Sequence, residues 1–435
     1  MSDMAHEVVQ FTSDLIRIDT TNPGPGLDGP GERVAAEYIA ARLDEVGIEC
    51  QVFESAPRRT SLVARWEPPG CDAGLAPLLL HGHTDVVPAV AADWTVDPFS
   101  GAVEDGYVWG RGAVDMKDFD AMLLAVVRQR VRSGRPPRRP IRLVFTADEE
   151  AGGVQGAVWL ARHHPEQLAD CAAAVGEVGG FSLTLDRTRL YLLQTAEKGL
   201  AWIKLVVEGT AGHGSMRNQD NAVTELAAAV AKLGSYRWPP RIHPAQQAFL
   251  DAASQALGVE LTADSPEETL AQLGSMARMV AATMGHTVNP TMLEAGYKVN
   301  VVPGQASAQV DGRFIPGLRD EFFETVQRLV GPRVRLEVLH EQAGVEADMS
   351  SDLVEAMRAA LLRHDPDAQV VPYLLSAGTD AKGWDELGLP CYGFVPLRLP
   401  AELDFTGMFH GVDERVPVES LRFGCQVLDD FLDLA

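Results

Sequence analysis

The sequence predicts an α/β domain interrupted by a smaller, inserted α+β unit. Three observations carry this. The chain has 435 residues, well beyond the roughly 150 expected of one compact domain. Short apolar runs alternate with amphipathic stretches over residues 1–198 and again over 346–435, the signature of helices packed on buried strands. Between them, over 199–345, the pattern changes.

In chain order, residues 32–46 read as an amphipathic helix, and the apolar runs 61–64 and 77–80 as strands. Phe119, Met122, Leu123, Val126 and Val127 recur at helical spacing, followed by β-branched or short apolar runs at 141–145 and 171–175. In the inserted unit, 202–207 predicts a strand, and Val223, Leu226, Val230 and Leu233 share a helical face. Residues 292–301 and 306–314 predict two strands joined at Pro303 and Gly304. A helix through Phe322, Val326 and Leu329 follows, then an alternating strand through Val334, Leu336 and Val338. That βαββαβ order predicts a small ferredoxin-like sheet. Residues 236–290, rich in Ala, Gln and Leu, form a helical insertion within it, and the chain ends in an amphipathic helix through Val418, Leu421, Cys425, Leu428 and Phe431.

Hydrophobic residues make up 46% and charged residues 23%, ordinary globular usage. A net charge of -24 argues against nucleic acid or an anionic membrane as partner, because both need a basic footprint. No apolar run reaches the roughly 20 residues of a membrane span, and the first residues lack a cationic flank before an apolar stretch. A cytoplasmic location is expected. The five cysteines are scattered and odd in number, so they are read as reduced, mostly core thiols.

The chemistry is concentrated where apolar strands end, the place where an open α/β sheet presents its crevice. His83 and Asp85 in His81-Gly82-His83-Thr84-Asp85 lie on one side of a strand, where an imidazole can bind a metal while the carboxylate fixes its tautomer. By themselves they read first as a hydrogen-bonded pair at a strand end. Asp115 follows Gly110-Arg111-Gly112 and precedes a helix, a position for a ligand or for an N-cap. Asp148-Glu149-Glu150 is either an acidic turn or three carboxylates gathered by a cation. Glu177 in Gly176-Glu177-Val178-Gly179 and His410 in Phe409-His410-Gly411 complete the set. Two imidazoles and several carboxylates without a thiolate form a ligand inventory for a borderline metal.

Taken in order, these motifs, with Gly212-His213-Gly214-Ser215, resemble the zinc amidohydrolases that include aminoacylase, acetylornithine deacetylase, succinyl-diaminopimelate desuccinylase and the glutamate carboxypeptidases. The resemblance spans nearly the whole chain. It implies a metallopeptidase catalytic domain with a mixed central sheet flanked by helices (1–198 and 346–435) and a ferredoxin-like lid and dimerisation domain (199–345). It further implies two Zn2+, with Co2+ or Mn2+ as substitutes: Asp115 bridges them, His83 and Glu177 complete one site, and Glu150 and His410 the other. Asp85 would orient His83, Glu149 would act as general base, His213 would reach the oxyanion from the partner of a homodimer, and Asp115-Met116 would be cis. Arg313 resembles an arginine that grips a substrate carboxylate, while Asn300 and the turn containing Gly378 and Thr379 resemble substrate-facing positions.

Three departures bear on the substrate: Asp118 and Phe119 stand where relatives carry glycines, Ser215-Met216-Arg217 lacks a common proline, and the 236–290 insertion is long. The substrate class implied is an N-acyl amino acid or small peptide, with deacylase, dipeptidase and carboxypeptidase all open. A non-catalytic binding protein or a structural subunit are the rivals from other classes; an intact Glu149 beside a complete ligand set disfavours the first, and hydrolysis of N-acyl amino acids with zinc or cobalt discriminates against both.

Overall fold

The computed structural model describes residues 3–24 and 26–435. Among them a ten-stranded sheet runs in the order Cys50–Ala56, Arg59–Trp66, Ile141–Thr146, Leu78–His83, Ala173–Gly176, Cys391–Gly393, Thr188–Glu197 and Val345–Glu346; Ser182–Leu185 and Gln369–Leu375 also pair with Thr188–Glu197. Its centre is parallel, from Ile141–Thr146 through Leu78–His83 and Ala173–Gly176 to Cys391–Gly393. Its flanking ladders include antiparallel pairs. The predicted α/β class with a mixed sheet is therefore the observed one.

The run Leu78-Leu79-Leu80 shows why the central strands carry no polar alternation. Leu78 and Leu80 enter one core with Phe119 and Met122 of helix Lys117–Ser133, while Leu79 enters a second core with Leu160 and Trp384 on the opposite face. A strand covered by helices on both faces must be apolar on both. The same strand runs on to His83, so the histidine is its last residue rather than part of the following loop.

The smaller sheet has the order Thr287–Ala295, Gln305–Phe314, Gly199–Glu208, Arg335–Gln342, antiparallel throughout. Its core joins Ile203, Leu205 and Val310 to Leu226 of helix Ala222–Ser235 and to Phe322 and Val326 of helix Arg319–Val330. The βαββαβ order is as predicted. The strand predicted over 292–301 is corrected: it spans Thr287–Ala295 and stops where Gly296 takes a φ of 72°, a turn conformation that favours glycine. Val301–Val302 pairs instead with Gly212–His213 as a separate two-stranded ribbon.

The helical insertion departs from the smaller sheet. Helices Pro244–Leu257 and Ala277–Thr283 send Phe249, Leu250, Ala253 and Val280 into the core of the larger sheet, and Leu270 of the intervening helix Pro266–Gln272 packs against it; the first helix lies against Gln369–Leu375. The connections between the two sheets are tied by buried lysines. Lys382 Nζ donates to the carbonyls of Lys198 (2.9 Å) and Ala343 (3.0 Å). Lys198 Nζ donates to those of Ala282 (2.9 Å) and Gly285 (2.8 Å), joining the end of the insertion to the same point.

All five cysteines are free, as expected, with Cys171, Cys391 and Cys425 buried. Among the described residues no helix is long and apolar enough to cross a membrane.

If the insertion is integral to the larger core, Phe249→Ala should lower its unfolding free energy by about 3–5 kcal/mol, the usual cost of emptying a buried phenylalanine site. Denaturant unfolding measures this, and a loss below about 1 kcal/mol would mean that the helices are only peripheral.

Candidate metal centre

Each candidate ligand is delivered by the end of a buried element. His83 closes Leu78–His83, Glu149 and Glu150 form a short turn just beyond Ile141–Thr146, and Glu177 follows Ala173–Gly176. Asp115 arrives through a loop in which Gly110 has a φ of 141°; a Cβ there would come within 2.4 Å of Ile16 and 2.7 Å of the Pro98 carbonyl. Only glycine fits so close a crossing. The helix beyond begins with Met116 as its N-cap and no side-chain cap bond, so Asp115 is free of the capping role left open above. The Asp115-Met116 peptide is cis.

The side chains converge around Asp115. Its Oδ1 lies 3.1 Å from His83 Nε2, and its Oδ2 lies 3.4 Å from His410 Nε2. Glu177 Oε2 is 3.3 Å from His83 Nε2, and Glu150 Oε2 is 3.0 Å from His410 Nε2. Glu149 Oε2 stands further back, 3.9 Å from His83 Nε2. Ligand atoms of His83, Asp115 and Glu150 lie within 4.8 Å of one another, as do those of His83, Glu149 and Glu177.

The electrostatics of the cluster call for cations. Burial, reinforced by the charge of Glu177, raises Glu149 well above the usual carboxylate range. Burial and the charge of Asp115 push Glu150 up to about 7. Burial works against the charged form of His83 too, yet Glu177, Asp115 and Asp85 raise it well above an ordinary histidine, while hydrogen bonds to Asp115 and Glu150 lift His410 to about 10. Among the described residues no lysine or arginine pairs with Asp115, Glu149, Glu150 or Glu177, and Glu150 Oε1 is buried with no hydrogen-bond partner. Four carboxylates facing two imidazoles, with an orphaned acceptor among them, fit a divalent-cation site with nitrogen and oxygen donors.

Around this cluster lies a frame that the motifs only partly disclosed. Asp85 meets His83 through its backbone: His83 Nδ1 is 3.0 Å from the Asp85 carbonyl and 3.6 Å from its carboxylate. The Asp85 carboxylate instead accepts the backbone N–H groups of Glu149 and Glu150, each at 3.1 Å, and the Asn22 amide at 2.8 Å. Asp148, the remaining acid of the triplet, turns away to accept the Gln155 N–H at 2.8 Å. Glu414 accepts the N–H groups of Val114 (2.7 Å) and Asp115 (3.2 Å) and pairs with Arg111 at 2.8 Å, and Arg111 also donates to the Gly411 carbonyl. This buried pair locks the Asp115 loop to the His410 loop. Arg111 stands in the Gly110-Arg111-Gly112 motif, but nothing in the sequence pairs it with Glu414, and Asn22 carries no signal that sets it apart from an ordinary polar residue.

The remaining candidates do not join the cluster. Gly378 lines the cleft, whereas Thr379 is buried and donates both its N–H and its hydroxyl to Glu197. Arg313 is held in the smaller sheet by two bonds to Asp311, 2.8 and 3.0 Å. His213 is exposed, with Nδ1 2.8 Å from the Ser215 hydroxyl, and the Asn300 carbonyl accepts the Gly214 N–H beside it at 2.9 Å. These two share the tip of the ribbon, outside the residues that line the cleft.

Comparison with known proteins follows the same lines. The chain is 30% identical to probable carboxypeptidase S-like 2 of Dictyostelium discoideum, over 86% of this chain and 73% of that protein. It is 27% identical to aminoacylase-1 of Sus scrofa, over 94% of this chain and 91% of that protein. The fold matches the crystal structure of an M20 family metallo-carboxypeptidase from Sulfolobus solfataricus with a TM-score of 0.72 at 17% identity, covering 100% of this chain and 99% of that one. Residues 79–434 match the description Peptidase family M20/M25/M40. The resemblance read from the motifs holds, and the chain belongs to Peptidase family M20/M25/M40 as one of its metal-dependent hydrolases.

Proposed function

We propose that this protein hydrolyses the amide bond of N-acyl amino acids or small peptides at a dinuclear zinc centre, with Glu149 as general base. The observation that carries this reading is the placement of Asp115, whose two oxygens face different imidazoles. His83, Asp115 and Glu177 would hold one ion, and Asp115, Glu150 and His410 the other. Zinc bound there would supply Lewis acidity toward the scissile carbonyl. Co2+ or Mn2+ would serve as substitutes.

Glu149 is suited to proton transfer. Its backbone is held by Asp85, and its carboxylate lies at the edge of the ligand set, where burial raises its affinity for a proton. It would take a proton from the attacking water and return it to the nitrogen of the leaving amine. The similarity to aminoacylase-1 and to a carboxypeptidase S-like protein supports substrates with a free carboxylate. Deacylase, dipeptidase and carboxypeptidase activities are separated by assaying N-acetyl, N-succinyl and dipeptide substrates side by side.

We further infer a lid and dimerisation role for the smaller sheet and its two helices within 199–345, the helical insertion being seated on the larger sheet instead. Met292, Leu293, Tyr297 and Val299 are exposed on the edge strand of the smaller sheet and the adjoining turn, an apolar patch of the kind that marks an interface. Association of two copies there would bring His213 toward the partner's cleft, to stabilise the developing oxyanion. The absence of disulfides among the described residues supports a cytoplasmic location.

Three outcomes are expected. Glu149→Ala should keep its metal content by elemental analysis but lose turnover on the order of 10²–10⁴-fold; full activity would remove the assigned base. Chelation should abolish hydrolysis of an N-acyl amino acid and added Zn2+ or Co2+ restore it, and activity in metal-free protein would refute the centre. In sedimentation, Val299→Asp should shift a dimer toward monomer and lower activity in step; a monomeric wild type at full activity would rule out the partner histidine.

A further inference from the structure

The cleft over the ligand cluster has a volume of about 580 Å3. One wall is not part of either sheet: Arg278, Met279 and Ala282 come from the last helix of the insertion, Ala277–Thr283. Phe181, Tyr373 and Leu375 line the same space and offer apolar surface for a side chain. Most charge lining the cleft is negative, from Asp115, Glu149, Glu150, Glu177 and Asp404. A substrate carboxylate entering this space needs a cation of its own, set apart from the ligand cluster.

Several cations near the cleft already have partners. Arg313 is spent on Asp311, while Lys198 and Lys382 are buried and donate to backbone carbonyls. Arg278 is different. It is exposed, it lines the cleft, and among the described residues it has no hydrogen bond or ion pair. Among the described residues that line the cleft it is the only lysine or arginine. A guanidinium presents parallel N–H groups that match both oxygens of a carboxylate, and the half-enclosed cleft strengthens such a pair over one in open water.

We propose that Arg278 grips the free carboxylate of the substrate, so that the helical insertion sets the preference for substrates bearing one. This rests on the amide-hydrolase reading above. It assigns the carboxylate to a residue of the insertion rather than to Arg313, and it accounts for the insertion being packed on the catalytic core beside the ligands.

The test is steady-state kinetics of the metal-loaded protein on N-acetyl-L-leucine and N-acetyl-L-leucinamide, comparing wild type with Arg278→Ala, Arg278→Lys and Arg313→Ala. Arg278→Ala should raise KM for the acid by roughly tenfold to a hundredfold, the loss expected of a charge-assisted hydrogen bond. Its kcat and its KM for the carboxamide should be nearly unchanged, and Arg278→Lys should recover part of the loss. The assignment is overturned, with hydrolysis left standing, if Arg278→Ala affects acid and carboxamide alike, if wild type does not distinguish them, or if only Arg313→Ala abolishes the discrimination. If wild type turns over neither compound, the same comparison is made on whichever N-succinyl or dipeptide substrate it does hydrolyse, and a metal-loaded wild type that hydrolyses none of them overturns the hydrolase reading and this assignment with it.

Discussion

A set of buried carboxylates that cannot satisfy one another is the constraint on which the rest of this structure depends. Asp115, Glu149, Glu150 and Glu177 meet where, among the described residues, His83 and His410 are the only basic side chains within ion-pair distance of them. Bringing like charges together in a low-dielectric crevice is costly unless something outside the chain compensates. The architecture around them resists their separation. Each sits at the end of a strand or beside a tight loop whose other end is anchored in a helix-covered sheet, so the cluster cannot relax without disturbing the core.

The frame that maintains this arrangement is made of backbone contacts as much as side-chain pairs. Asp85 holds the N–H groups of Glu149 and Glu150, and Glu414 holds those of Val114 and Asp115 while pairing with Arg111. A carboxylate that accepts two adjacent N–H groups positions a loop more sharply than one salt bridge can. Glu149 and Glu150 thus share one support, and Asp115 and the distant His410 loop share another.

The helical insertion links the two sheets to the site. Its apolar face belongs to the core of the larger sheet, its end is tied to Lys198 at the crossing between sheets, and its last helix borders the cleft. Variation in Arg278, Met279 and Ala282 would therefore alter the lining of the cleft without touching the carboxylates and imidazoles of the cluster.

Much of the site was legible in the sequence because its chemistry is local. His83, Asp115, Glu150, Glu177 and His410 each stand in a short motif of glycines and polar residues beside an apolar run, and the run of period-free leucines before His83 announces a strand buried on both faces. The βαββαβ order was equally readable, since helix and strand periods differ and each element spans several residues. Other features depend on contacts between residues far apart in the chain. Pairing of Arg111 with Glu414, retention of Arg313 by Asp311, inward rotation of Thr379 onto Glu197, and the seat of the insertion on the larger sheet are all of this kind. A polar residue looks the same in sequence whether it faces a substrate, a neighbour or water; only the tertiary structure, by fixing which groups lie within hydrogen-bonding distance, decides among them.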